Sequence, residues 1–247
     1  MILNSRPFLF IQAMWQNMVL MIKRHKIKLK YKIVPIGTYC LPRSITTLCK
    51  LKPSRKQGEK SCPFDLAFFR NFNAIDKLIS TRFEHFTDGL TYNEHQKYWE
   101  NPSLDATFNH DGHLNREDFI KRYEQRIENF YSYINDKENH LFFLLASFSP
   151  ISKEQFAHLH ETIQKWVTKD RYTIIYINQT KTLTIQRDEN TEVIDFDYNC
   201  ELFSIINSKG YWLEELKKIK NYSSCKFLYG ISISIANIIL RKQQKKT

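Results

Sequence analysis

The chain has 247 residues and a mass of 29.7 kDa, of which 42% are hydrophobic, 26% charged and 14% aromatic. This profile excludes wholesale disorder, a collagen-like repeat and low complexity, and the length allows a sizeable core. The formal net charge is +11, but residues 1–60 carry thirteen Lys/Arg against one acid, Glu59. The remainder is close to neutral, so no nucleic-acid partner is expected from charge alone.

Residues 7–22 are apolar but broken by Gln12, Gln16 and Asn17. Phe8, Ile11, Trp15, Val19 and Ile22 share one helical face. The run is shorter than the roughly 20 residues needed to span a bilayer. The basic block Lys23–Lys30 follows the run, the reverse of a secretory signal. Three readings stay open: an interfacial helix whose polybasic flank meets an anionic membrane surface, a helix packed on the body, and an untranslated extension ahead of a start at Met21.

Tyr31–Ile36 reads as a strand, and Gly37-Thr38 as a turn. Cys40–Leu51 follows as a helix with Pro42 in its first turn and Ile45 and Leu48 inward. Residues 52–61 form a basic loop. A helix is expected near Asn73–Ser80, and residues 87–103 read as an irregular aromatic loop. Asn115 and Asp118 mark a helix start, with Phe119, Tyr123, Ile127, Phe130 and Ile134 striped behind it.

His140–Ala146 is a continuous apolar strand. Ser152 and Gln155 form a capping box opening a helix striped by Phe156, Leu159, Ile163, Trp166 and Val167. Arg171–Ile177 is a second apolar strand, so the pattern is strand, amphipathic helix, strand. That predicts parallel pairing with both faces covered, and a helix over Ser152–Lys169 lying on one face. Glu192–Phe196 is a third strand and Trp212–Ile219 a short helix. Phe227–Leu240 fits either a strand or a buried helix. The expected fold is α/β: a single domain over 31–220 with a mostly parallel sheet flanked by helices. Residues 1–30 form an apolar and basic extension, and 221–247 an apolar segment and basic tail.

Five cysteines, Cys40, Cys49, Cys62, Cys200 and Cys225, are odd in number, widely spaced and without a C-x-x-C pair. They predict neither a disulfide framework nor a zinc knuckle and suit a reducing, cytoplasmic setting. Cys40 stands out because it follows a strand and a Gly turn and opens a helix, where unpaired N–H groups favour a thiolate. It is therefore expected to be partly exposed with a depressed pKa, while Cys49 stays buried and inert. A thiol nucleophile needs a base, and His110 in Phe108-Asn109-His110-Asp111-Gly112-His113 is the candidate. His110 and His113, with Asp111 between them, are a weak metal pattern, and no metal is assigned. There is no P-loop or G-x-G-x-x-G, and no cofactor is assigned.

Several motifs recur in a fixed order. They are Ile36-Gly37-Thr38-Tyr39-Cys40, Cys62-Pro63-Phe64-Asp65, Phe83-x-x-Phe86, Phe108-x-His110-Asp111 and Tyr123-x-x-Arg126-Ile127-x-x-Phe130. Ile177-Asn178-x-Thr180 and Tyr211-Trp212-x-x-Glu215 complete the series. Over roughly residues 31–220 the chain resembles a bacterial family of uncharacterised proteins described as papain-like cysteine peptidases. The resemblance implies Cys40 as nucleophile, His110 as its base, and Asn178 as the orienting group, with Asp65 and Asp111 as rivals. It also implies a papain-like α+β core, at odds with the strand–helix–strand pattern. Leu66 stands where the family usually has Trp after Pro-Phe-Asp.

Arg126 is a candidate to hold a substrate carboxylate or phosphate, or else a structural ion pair. Trp99 either lines a substrate groove or anchors its loop. Asp65 is weighed as the cap of a turn, and His158 and His160 as the solvated side of their helix. Two functions follow. One is a thiol-dependent hydrolase or acyl transferase acting on a peptide, amide or ester. The other is a non-catalytic α/β binding module associated with cell-surface polysaccharide or the inner membrane surface. In both the protein is expected in the cytoplasm, with residues 1–30 as the candidate contact with an anionic membrane at its periphery.

Overall fold

The computed structural model describes residues 15–16, 18–19, 21–23, 31–48, 51–52, 58, 60–178, 185–195 and 222–244, the last with side chains from 230 onward. Four strands form a parallel sheet: β1 (Tyr31–Gly37), β6 (His140–Ala146), β7 (Tyr172–Asn178) and β8 (Thr191–Asp195), side by side in that order. The register sets Gly37 beside Ala146, and Ala146 beside Ile177. The strand order rises steadily along the chain. Pro35, which lacks an N–H, is tolerated because β1 is the outer strand.

Both faces of this sheet are covered, which is why β6 is buried along its whole length. Alternation divides it: Leu141, Phe143 and Leu145 enter one core, and Phe142, Leu144 and Ala146 the other. The first core receives α2 (Phe72–Ser80), α3 (Arg116–Ile134) and α4 (Lys153–Gln164) through residues such as Ile75, Phe130 and Leu159. The second receives α1 (Leu41–Leu48) and α5 (Tyr222–Gln244) through Leu41, Ile45, Ile235 and Ile239. The start of α4 follows from chemistry local to the sequence. The Ser152 hydroxyl accepts from Gln155 N at 3.2 Å, and Gln155 Oε1 accepts from Ser152 N at 2.9 Å.

A second, antiparallel sheet is inserted between α1 and α3. It comprises β2 (Phe68–Phe69), β3 (Thr91–Asn93), β4 (Tyr98–Asn101) and β5 (Ala106–Phe108), in the order β2-β5-β4-β3. Residues 87–103, expected as an irregular loop, thus contain a β3–β4 hairpin. Its turn is closed by Lys97 N donating to Asn93 O at 2.8 Å, with Lys97 at a φ of 56°. Strands of two to four residues are too short to display alternation, so the pattern was invisible.

The parallel pairing expected of 141–146 with 171–177 is present. The α/β fold with a parallel sheet therefore replaces the papain-like α+β core implied by the resemblance. The helix expected over Ser152–Lys169 ends at Gln164 and is followed by a 3-10 turn at Lys169–Arg171. The run at 227–240 is helical, within α5. The expected helix at Trp212–Ile219 lies outside the described residues, as do Phe8, Ile11, Cys49 and Cys200. The described residues between 15 and 23 are helical, but Trp15 and Ile22 point outward while Val19 is half-buried. Among the described residues no helix is long and apolar enough to cross a membrane.

Candidate active site around Cys40

Cys40 is positioned by the way β1 ends. Gly37 has a φ of 148°, and a Cβ there would lie 2.2 Å from the Ala146 carbonyl oxygen, so only glycine fits. Thr38 N then donates to Ala146 O at 3.0 Å, and the Thr38 hydroxyl accepts from Phe148 N at 3.0 Å. Tyr39 stacks on Phe148 with ring centroids 3.9 Å apart. Phe69 N donates to Thr38 O at 2.8 Å, which ties the inserted sheet to the same turn. Cys40 follows at the carboxyl end of β1, and Ser44 N donates to its carbonyl at 2.9 Å as α1 begins.

The residue is only half-buried, yet its thiol is closely enclosed. Burial pushes the pKa up to about 12, against the weaker pull of its own backbone N–H. This reverses the expected depression. A helix start contributes about 1 kcal/mol, whereas desolvation can shift a pKa by roughly 3 to 5 units. The resting group is a thiol.

His110 lies in the 3-10 turn Asn109–Asp111 that follows β5. The turn packs so tightly on the β3–β4 hairpin that a Cβ on Gly112 would sit 1.9 Å from Lys97 O. Tyr92 donates its hydroxyl to Gly112 O at 3.1 Å, and Trp99 donates its indole N–H to Leu114 O at 3.0 Å. Trp99 is thus an interior anchor rather than a groove wall. Burial lowers the His110 pKa, Asp111 opposes this and Arg126 reinforces it, so the imidazole is neutral near pH 7.

Asp111 is buried and fully engaged. Arg122 Nη1 reaches Oδ1 at 2.7 Å, while Arg126 Nη1 and the Tyr123 hydroxyl reach Oδ2 at 2.7 and 2.9 Å. Burial alone would raise its pKa, but the charge and hydrogen bond of Arg126, joined by Arg122 and Tyr123, hold it below the ordinary value. Arg126 is itself buried and makes an ion pair with Asp111, the structural alternative to a contact with substrate.

Asp65 is wholly buried at the end of the Pro63–Asp65 turn. Its Oδ2 accepts from Cys62 N at 3.1 Å and lies 3.5 Å from Arg43 and 4.0 Å from Lys52. Its Oδ1 has no hydrogen-bond partner. The turn-capping role is therefore present. Burial would lower the Arg126 pKa, but Tyr123 and Asp111, with a smaller contribution from Asp65, raise it.

Two groups of contacts flank the expected residues. Arg43, one turn after Cys40, lies 3.5 Å from Asp65, and Arg126 pairs with Asp111, the neighbour of His110 in the sequence; between the two groups only charge acts, from Asp65 on Arg126 and from Arg126 on His110. No hydrogen bond joins Cys40 to His110 among the described residues. Asn178 is not part of this set. It ends β7, two strands from β1, and donates to Asp195 Oδ1 at 2.9 Å. Sequence reasoning missed Arg43, Lys52 and Arg122. Arg122 and Arg126 stand four apart on α3, a spacing that places both on one face and signals a shared anion.

His113 is exposed, and among the described residues no group of three or more His, Cys, Asp or Glu side chains could hold a metal. His160, expected to be solvated, is half-buried and meets the Tyr172 hydroxyl at 2.8 Å and the Thr191 hydroxyl at 3.0 Å. His158 remains largely exposed beside Asp76. Comparison with models of protein families, with curated proteins and with solved structures finds no match for this chain.

Proposed function

We propose that the chain is a thiol-dependent hydrolase or acyl transferase in which Cys40 and His110 act on a peptide, amide or ester. The observation that carries this reading is a half-buried cysteine at the carboxyl end of a parallel strand, where α/β proteins bind ligands, in a fold that also holds a neutral imidazole at His110. Because the thiol is protonated at rest, the mechanism is general-base catalysis rather than attack by a preformed thiolate. His110 takes the S–H proton as sulfur bonds to the substrate carbonyl carbon. The oxyanion is met by a backbone N–H at the start of α1. Collapse expels the leaving group, which takes the proton from His110, and leaves a thioester on Cys40. Water or an acceptor then cleaves the thioester by the reverse proton route. The protein works in the cytoplasm, at the periphery of the membrane.

Single-turnover reaction with an activated aryl ester, followed by peptide mass spectrometry, tests the proposal. The expected adduct is an S-acyl group on Cys40, absent in Cys40→Ser and formed about a hundredfold more slowly in His110→Ala. Acylation elsewhere, or an unchanged rate in His110→Ala, would contradict it.

A non-catalytic binding module is the second reading. It is favoured by a cavity of about 430 Å3 lined by Phe156, His160, Gln164, Ile185, Asn190 and Thr191, among others. There the buried Oδ1 of Asn190 has no hydrogen-bond partner. Ligand-induced thermal stabilisation abolished by Asn190→Ala but not by Cys40→Ser would support that reading.

A further inference from the structure

The N-terminal helix is packed the wrong way round for a soluble body. At 100° per residue, Met21, Met18, Ile22 and Trp15 fall in that order within one arc of about 120°. All four are exposed, at 59%, 51%, 49% and 60%. The half-buried side instead holds Gln16, Val19 and Lys23, and Gln16 Oε1 is buried without a hydrogen-bond partner. A helix stabilised by docking on protein would turn its large apolar side chains inward. Here four of them form a contiguous outward stripe, the arrangement that marks an interaction surface.

Charge identifies the occupant. Val19, Ile22 and Lys23 line a cleft of about 550 Å3 together with Leu240, Gln243 and Gln244, so this helix ends against the last turn of α5. The sequence continues from Lys23 as Arg24, Lys26, Lys28 and Lys30, and from Gln244 as Lys245 and Lys246. Arg241 and Lys242 precede them, held to the body by Glu192 Oε2 and by the Glu189 carbonyl. α5 is anchored by Ile231, Ile235, Ile238 and Ile239 in the core and gives this corner a fixed base. Two basic runs separated by over two hundred residues thus start from the edge of one apolar stripe.

We propose that the outward face formed by Trp15, Met18, Met21 and Ile22, flanked in the sequence by the basic residues that follow Lys23 and Gln244, is a docking surface for anionic lipid bilayers. Trp15 and the two methionines enter the boundary between headgroups and acyl chains, and the Lys/Arg side chains meet the phosphates. The basic residues supply the long-range attraction, and the apolar stripe supplies the grip that salt does not screen. This surface lies apart from Cys40 and does not depend on its chemistry.

The test is co-sedimentation of the full chain with vesicles of phosphatidylglycerol and phosphatidylcholine, against phosphatidylcholine alone. Binding should be at least about tenfold tighter to the anionic vesicles and weaken as salt is raised. Lys26→Gln with Lys28→Gln should reduce it about 25-fold, at about fivefold per charge. Trp15→Ser, Met18→Ser, Met21→Ser and Ile22→Ser together should reduce it about a hundredfold. These side chains are already in solvent, so the melting temperature should stay unchanged, and Trp15→Ala alone provides a milder variant. Equal binding to both vesicle types, absence of binding, or indifference to the four substitutions would overturn the proposal. So would RNA that displaces the vesicles, which would assign the basic runs to nucleic acid. A dimer dissociated by the same four substitutions would assign the stripe to a second copy of the chain.

Discussion

Two buried carboxylates act on Arg126, and the fold treats them differently. Asp111 has both oxygens occupied by three donors from α3, Arg122, Tyr123 and Arg126. Asp65 gathers its partners, Cys62 N, Arg43 and Lys52, on one oxygen and leaves the other without a hydrogen bond. A closed set of this kind fixes geometry: Asp111 pins the His110 turn to α3. The half-satisfied set lies next to the helix that Cys40 opens, and it retains an acceptor in low dielectric, where an approaching donor gains most. The rigid set therefore holds the His110 turn, and the adaptable set adjoins the helix that follows Cys40.

The largest effect expected from this contrast comes from Asp111→Ala. It leaves Arg126 buried without its counter-ion and should cost about 3 to 5 kcal/mol of unfolding free energy in urea titration. Asp65→Asn keeps the shape and the Cys62 contact but removes charge beside Arg43 and Lys52. It should cost about 1 to 2 kcal/mol. Equal losses in the two variants would erase the distinction between them.

The pH dependence of stability sharpens it further. Burial lowers the folded-state pKa of His110, and likewise that of His160. Below the unfolded value of about 6.5 the unfolded chain binds protons that the folded chain resists. Stability should therefore begin to fall as pH drops below about 6.5. The depressed pKa of Asp111 adds stability that is present above about 3.9 and disappears as pH falls further toward its folded value. Urea midpoints against pH should show both declines. His110→Ala should shrink only the first and Asp111→Asn only the second; a single decline common to all three proteins would contradict the assignment.

Much of the parallel sheet is legible in the amino-acid sequence because β6 and β7 are buried on both faces and read as seven-residue runs. The starts of α3 and α4 are legible for a different reason: Asn115 and Ser152 bond to backbone only three residues away. The β3–β4 hairpin is not legible, since three and four residues carry too little periodicity against an aromatic background. At the site, Gly37 and the strand before it mark where Cys40 sits. The partners of Asp111 and Asp65 come from α3 and α1, and no local pattern encodes those meetings. The thiol's protonation state was misread for a related reason. Helix position is local and visible, whereas desolvation is set by the tertiary fold around the turn.

The central claim is that Cys40 rests as a protonated thiol. The most direct test is the rate of Cys40 alkylation by iodoacetamide across pH, read peptide by peptide by mass spectrometry so that the other cysteines serve as internal references. The account predicts slow labelling at neutral pH and a rate that still rises at pH 10, with no plateau between pH 6 and 8, because burial holds the pKa up to about 12. A plateau below pH 8 that vanishes in His110→Ala would reveal a preformed thiolate–imidazolium pair and contradict it.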